Sequence, residues 1–335
     1  MDPNAIIETA RQLGPAIEYG GLSTAIAISA RKAVGRLLGA AVELPATWLD
    51  QKAAISAEKG KSRILVEAAA AQQAIAFNKL DADLGQRAAI RLTSKEYRRQ
   101  ENIENIAVSA IEELRFDDTA SEAEQDLLPD VDEDWLNVFE RYAEDASTER
   151  MQKLWGRVLA GKVRTPRRFA LRTLRFLSEF SQDEAIKFTD FCNNAFGEFA
   201  PKSLVMPSEM KDQRHLIYME TSGLVTGTSG LGLTYSADLK NNNNFFLIEG
   251  NLGLMFTAGA DELHSFPVVS LTPLGQDLIS LLPDRDARAA ARKVAHAIRS
   301  PIFKAAYLGV VDNSRNFSPM ETLWQDQPTV VDAPD

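Results

Sequence analysis

Between Asp145 and Cys192 the chain carries its densest set of helix start and stop signals, and these constrain the fold before anything else does. Met151, Leu154, Trp155, Val158 and Leu159 fall at i, i+3, i+4, i+7 and i+8, the template of a helix with one buried face. Ser147 is placed to cap that helix and Gly161 to end it. Thr165-Pro166 restarts the chain, because proline suits a first helical turn. Leu171, Leu174 and Leu177 then mark an inward side, with Phe169, Phe176 and Phe180 nearby. Ser181-Gln-Asp-Glu184 is a capping box, opening a helix that turns Ala185, Phe188, Cys192 and Ala195 inward. Just upstream, Asp132 caps a helix whose Trp135, Val138, Phe139 and Tyr142 form an aromatic stripe, a core feature rather than a cofactor box.

Charge is unevenly placed along these helices. The net charge of -10 argues against wholesale nucleic-acid binding. Much of the acidic excess sits in residues 116–150, with 13 carboxylates against 2 basic groups. Met151 to Ser178 is the reverse, with Lys153, Arg157, Lys162, Arg164, Arg167, Arg168, Arg172 and Arg175 and no carboxylate. Arg168, Arg172 and Arg175 share a helical face opposite the leucines. Two readings stay open for the patch Arg164, Arg167, Arg168, Arg172 and Arg175. It binds a phosphate-bearing or acidic partner, or the acidic run before it neutralises it internally.

The N-terminal third reads as Ala-rich helix. Gly21 to Pro45 is apolar but interrupted by Arg31, Lys32 and Arg36, which makes a membrane span costly at roughly 2.5 to 3.5 kcal/mol per charge. The segment reads as a basic amphipathic helix, with Leu37 and Leu38 beside those cations. It lies on a membrane or partner helix, or is buried in its own domain or oligomer. Thr47 to Leu92 predicts one or two long helices interrupted near Gly60 and Gly85. Its alanines give close approach but little burial energy, so a partner helix is expected. Thr93-Ser-Lys-Glu96 matches a capping box, and Ile103, Ala107, Ala110, Ile111 and Leu114 give the next helix its buried stripe.

After Pro201 the pattern changes. Ser208 to Ser222 reads as a helix with Leu216, Ile217 and Met219 apolar, ending at Gly223-Leu-Val. Gly227 to Gly232 lacks the Gly-Lys-Ser/Thr ending of a phosphate loop. Phe245–Glu249 and Leu252–Thr257 flank Gly250-Asn251, a favoured hairpin connection. Val268–Leu271 is a third strand, leading into a helix capped by Thr272 and started by Pro273. A helix followed by a hairpin resembles a winged helix, but the helix offers only Lys211 and Arg214 against Glu209, Asp212 and Glu220, a weak footprint for DNA. Asp284 to Arg299 predicts a last amphipathic helix, and the tail from Val311 reads as extended or partly disordered, with Trp324 its one large anchor.

Catalytic chemistry finds little support in the residue pattern. The lone Cys192 excludes an internal disulfide and fits a reducing compartment. His215, His264 and His296 are too scattered to suggest a triad, and no zinc, redox or dinucleotide spacing occurs. No cofactor is expected. The N-terminus shows no secretory signal pattern, so a cytoplasmic location is expected, with the alternative of peripheral association at the inner membrane.

Trp155, Val158, Leu159, Ala160 and Gly161, then Arg172, Thr173 and Leu174, then Ser181, Glu184 and Ala185 resemble the core of an uncharacterised bacterial family, domain of unknown function 2806. Phe169 and Ala170 stand where that pattern often has a small polar residue, and the likeness extends through the Gly-Leu-Val and Leu-Thr-Pro-Leu-Gly segments. The Ala-rich N-terminal helices also look broadly like those of abortive-infection type proteins. That resemblance implies a role in defence against phage.

The expected protein is mainly α with a small α+β winged-helix-like C-terminal module. It divides into a helical arm (1–115), an acidic linker (116–131), a helical core (132–200), the helix-plus-hairpin module (201–283) and a final helix and tail (284–335). A non-enzymatic, homo-oligomeric interaction protein is the leading expectation, with an acidic or phosphate-bearing partner and a membrane surface as candidate contacts. A winged-helix DNA-binding regulator is the alternative.

Overall fold

The computed structural model describes residues 24–38, 68–69, 82–116, 130–207, 213–229, 232–239, 243–259, 263–282, 285–312 and 314–326. The expected break near Gly60, the acidic run 117–129 and Lys211 lie outside them. The chain forms two compact units, Met1–Ser178 and Glu179–Asp335.

The first unit is helical: α1 (Thr24–Leu37), α2 (Ala82–Phe116), α3 (Glu133–Ala143) and α4 (Glu149–Arg164), with α5 (Leu171–Glu179) beginning at its end. α2 is one uninterrupted helix of 35 residues, about 52 Å long at 1.5 Å per residue. The expected break at Gly85 and cap at Thr93 are both corrected here, since the two residues lie inside it. A glycine costs a helix only about 1 kcal/mol relative to alanine. Restarting would cost a new nucleus, which outweighs what one cap returns. The second half of α2 buries Ile103, Ile106, Ala107, Ala110, Ile111 and Leu114. α4 lies against this stripe at Gly156, where a Cβ would stand 2.6 Å from the Ser109 Cβ and 3.0 Å from the Ala110 nitrogen. The missing side chain sets how closely the two backbones approach.

Beside that contact, Gln152 joins a buried polar network. Its Nε2 donates to Asn102 Oδ1 at 3.0 Å and to the Ala146 carbonyl at 3.1 Å, while Asn105 Nδ2 donates to its Oε1 at 3.3 Å. Asp132 caps α3 by accepting from the Trp135 amide at 2.9 Å, as its position suggests. α4 is capped by Thr148 rather than Ser147. It continues through Gly161 to Arg164, with Thr165 as its C-terminal cap. Gly161 serves packing instead of termination, because a Cβ there would lie 2.5 Å from the Phe169 ring.

Phe169 explains why Pro166 starts no helix. It is buried with φ of 54°, an uncommon conformation for a side-chain-bearing residue. Its carbonyl accepts the Trp135 indole N–H, and Lys162 Nζ donates to the neighbouring Arg168 carbonyl at 2.9 Å. Residues 165–170 therefore form a turn plugged by one aromatic ring, and α5 begins at Leu171. Leu174 and Leu177 are buried as expected, whereas Leu171 is exposed.

The second unit is α+β. After α6 (Gln182–Cys192) come β1 (Phe199–Pro201), α7 (Lys202–Val205), α8 (Arg214–Thr221), β2 (Val225–Thr226), β3 (Leu233–Asp238), β4 (Asn244–Glu249), β5 (Leu252–Ala258) and β6 (Leu263–Leu271). α9 (Pro273–Ile279), α10 (Ala287–Ala297), β7 (Phe303–Val311) and β8 (Phe317–Gln325) follow. One antiparallel sheet is built around β6, which pairs with β1, β2 and β3; the other has the order β4-β5-β7-β8. The described residues are about 54% helix and 22% strand, so "mainly α" fits only roughly.

Ser181 and Glu184 form the expected capping box, and Thr272 caps α9 with Pro273 in its first turn. Gly250-Asn251 closes the expected hairpin, with Glu249 paired to Leu252. The tail from Val311 departs from expectation: residues 317–325 are β8, paired along β7, and Trp324 is buried and donates to the Ala295 carbonyl at 3.3 Å. The core of this unit gathers Phe196, Phe199, Phe245, Phe256, Phe266 and Phe303 with Ala291, Val294 and Ala295 of α10.

Candidate functional site

The cations singled out in the sequence meet different fates. Arg164 NH2 donates to the Glu113 carbonyl at 2.6 Å, and Arg157 pairs with the Glu113 carboxylate at 3.6 Å, so both fasten α4 to α2. Lys162 is buried, 5.1 Å above the Trp135 ring. Arg168 lies over the Phe169 ring at 5.1 Å. Arg167, Arg172 and Arg175 are exposed. The five arginines thus divide, with Arg164 bound to α2, Arg168 over an aromatic ring, and Arg167, Arg172 and Arg175 exposed.

α1 places its basic residues at the rim of a buried stripe. Ile26, Ala30, Ala33, Val34 and Leu37 are buried, while Leu38 is half-buried. Lys32 pairs with Asp130 at 2.8 Å, Arg36 donates to Asn137 Oδ1, and Arg31 is half-buried. Among the described residues, no helix is long and apolar enough to cross a membrane.

The second unit holds two carboxylates at structural junctions. Glu249 is bound in a fork by Arg285 and accepts the Gly197 amide at 2.9 Å. Arg285, only 4% exposed, also donates to the carbonyls of Cys192 at 2.9 Å and Ala195 at 2.6 Å. The end of α6, the end of β4 and the start of α10 are thereby tied to one ion pair. Burial raises the pKa of the adjacent Cys192 thiol, which keeps it protonated and unreactive.

Glu220, at the end of α8, grips the glycine-rich turn that follows. It accepts from Ser229 Oγ at 2.6 Å, from the Thr228 hydroxyl, and from the amides of Gly227 at 2.8 Å and Thr228 at 3.2 Å. Those bonds, led by the Ser229 and Thr228 hydroxyls, bring its pKa down to about 2. The amides that a phosphate would need are already occupied by this side chain.

A groove of about 820 Å³ lies among α6, α7 and α8, with Phe191, Val205 and Leu216 on its floor and Lys187, Asp190 and His215 on its walls. Tyr218 reaches from α8 to Glu184 of α6, whose pKa is lowered by bonds from Ser181 first and Tyr218 second. Of the three apolar residues of α8, Leu216 and Met219 take the buried side and Ile217 is 50% exposed. His264 sits edge-on to the Phe303 ring at 5.2 Å. Among the described residues, no group of three or more His, Cys, Asp or Glu is placed to hold a metal.

The outer face of the β4-β5-β7-β8 sheet is the feature that sequence reading caught only as a hydrophobic hairpin. Phe246 and Ile248 alternate with the buried Phe245 and Leu247, and they are 37% and 48% exposed. Across the ladder Phe246 faces Met255, which faces Tyr307, while Ile248 faces Gly253, which faces Gly309. Phe317 of β8 fills the trough over the two glycines: a Cβ on Gly253 would stand 2.9 Å from its ring and one on Gly309 2.7 Å. Its ring meets Phe246 at 5.8 Å. The period-2 alternation of β4 was visible in the sequence; β7 and β8, which widen the face, were not recognised.

The segments Gly223-Leu-Val and Leu-Thr-Pro-Leu-Gly, 48 residues apart, meet in space. Thr272 N donates to the Leu224 carbonyl at 3.0 Å, Val225 pairs with Leu271, and a Cβ on Gly275 would lie 2.2 Å from the Leu224 oxygen.

A family model described as Protein of unknown function (DUF2806) matches residues 86–252, from α2 to the start of β5. The match includes Trp155, Arg172 and Glu184 and stops short of Leu271–Gly275. No curated protein and no solved structure matches the chain.

Proposed function

We propose that this chain, which belongs to the DUF2806 family, is a non-enzymatic binding protein that self-associates through the outer face of the β4-β5-β7-β8 sheet. The observation that carries the reading is the apolar row Phe246, Ile248, Met255, Tyr307 and Phe317, exposed or half-buried on one sheet face. Contiguous apolar surface of this kind marks contact sites in soluble proteins. None of the five residues is charged, so the face has no sign to match in a foreign partner, and a second copy offers a self-complementary surface in a two-fold arrangement. Light scattering on the full chain tests this: the protein as isolated is expected to be dimeric and Phe246→Glu/Ile248→Glu monomeric. A monomeric wild-type chain at tens of micromolar would sink the proposal. The setting we propose is bacterial defence against phage, supported only by the resemblance of the N-terminal helices to abortive-infection type proteins. Plaque counts on cells with and without the gene test it.

A second reading, a winged-helix DNA-binding regulator, is favoured by topology. The run α6-β1-α7-α8-β2 and the antiparallel path β1-β6-β2 support it, although β3, β4 and β5 intervene between β2 and β6. The residues that α8 exposes weigh against it, because Ile217 and Tyr218 stand beside Arg214 as the single described cation of the helix. Salt-dependent duplex binding abolished by Arg214→Glu would favour the regulator over the scaffold.

A further inference from the structure

We infer that the first half of α2 is a nucleic-acid contact, where Arg87, Arg91, Lys95 and Arg98 hold a phosphate backbone without reading bases. The four follow one another at spacings of four, four and three, which puts them on one face of the helix over about 16 Å. All four are exposed, and among the described residues none has a hydrogen-bond or ion-pair partner. Residues 84–95 contain no carboxylate; Asp83 stands one turn before Arg87, and Glu96 and Glu101 flank Arg98.

The next residue sharpens the point. Arg99 turns to the other side of the helix and is fully engaged, with Glu96 at 3.6 Å, Glu144 at 3.0 Å and Asp145 at 3.3 Å. Glu96, Glu144 and Asp145 are thus held by Arg99, while its neighbour Arg98 is exposed.

A linear, evenly spaced array of cations fits a linear, evenly charged polymer, and guanidinium forks match phosphate geometry. A helix that lies on lipid needs a broad apolar face beside its cations, whereas the large apolar side chains exposed here are Leu84 and Leu92, two turns apart. The net charge of -10 does not forbid the contact. Of the acidic run 116–150, Glu144 and Asp145 come to this part of α2, where Arg99 holds them.

The test is fluorescence anisotropy of the full chain with a labelled duplex of about 30 bp. Four phosphate contacts predict a salt slope of about -3.6, so affinity should fall about 150-fold between about 50 and about 200 mM salt. Arg87→Glu/Arg91→Glu/Lys95→Glu should abolish binding while leaving the helical circular dichroism and the oligomeric mass unchanged, and Arg214→Glu should bind like wild type. No binding at the lower salt would overturn the inference, as would unchanged binding by the triple variant. So would tighter capture by phosphatidylserine vesicles, or by a peptide of residues 116–133, than by DNA.

Discussion

The two units solve the same problem, fixing one element against another, by different physics. In the first unit the closest contact is an absence: Gly156 lets α4 come within van der Waals contact of Ser109 and Ala110, amid apolar stripes, with Gln152 and the Arg157 and Arg164 contacts to Glu113 at the margin. In the second unit the junctions are ionic. Arg285 and Glu249 tie the end of α6, the end of β4 and the start of α10, and Glu220 holds a turn by four hydrogen bonds. Helices carry their own backbone bonds, so their contact can rest mostly on shape. Strand ends, helix ends and irregular turns bring orphan carbonyls and amides together, and these need a polar partner.

That contrast can be broken most severely at the ion pair. Arg285→Met leaves Glu249 with the Gly197 amide alone and strands the Cys192 and Ala195 carbonyls, and removing one member of a buried pair costs about 3 to 5 kcal/mol. Chemical denaturation should register a loss near the lower end, because Glu249 keeps some solvent exposure. Arg285→Met/Glu249→Leu should lose less than the single variant. Equal losses would mean the pair matters only as packing.

The glycine contact should respond next. Gly156→Ala forces a Cβ to 2.6 Å from Ser109, so the helices must separate, at about 1 to 3 kcal/mol for overpacking. Gly156→Ala combined with Ser109→Gly should recover part of it. A neutral Gly156→Ala in a thermal melt would show that α2 and α4 are not held at that distance.

The smallest effect belongs to the Glu220 turn. Glu220→Gln should cost about 1 kcal/mol, given partial solvent screening. The pKa is depressed from 4.5 to about 2 by the folded-state bonds. Its stabilisation is therefore complete above about 4.5 and is lost as pH falls toward 2. The difference in stability between wild type and Glu220→Gln should shrink over that window. A constant difference from neutral pH to pH 2 would place the effect elsewhere.

Legibility in the sequence followed the range of the interaction. The caps at Asp132, Ser181 and Thr272 and the Gly250-Asn251 turn were readable, because each depends on residues within three or four positions. Gly161 and Pro166 misled for the same reason: their local signals are those of a helix end and a helix start. The Phe169 ring fills the space beside Gly161, and the carbonyl pinned by Trp135 holds the turn after Pro166. Of the candidate surfaces, the arginine run could be counted, but its split between α2, the aromatic rings and solvent could not. The Arg87 to Arg98 stripe was present in the letters, yet a predicted cap at Thr93 cut it in two.

By itself, then, the sequence determined the helix starts at Asp132, Ser181 and Thr272, the β4–β5 hairpin and the match to the DUF2806 family model, all written in short-range spacing. Only the tertiary structure decided that β7 and β8 complete a four-stranded sheet, that Arg285 finds Glu249, and that Arg99 is bound while Arg98 is not. Those outcomes depend on which distant groups arrive at the same place. A partner 36 or 46 residues away leaves no periodicity in the chain to announce it.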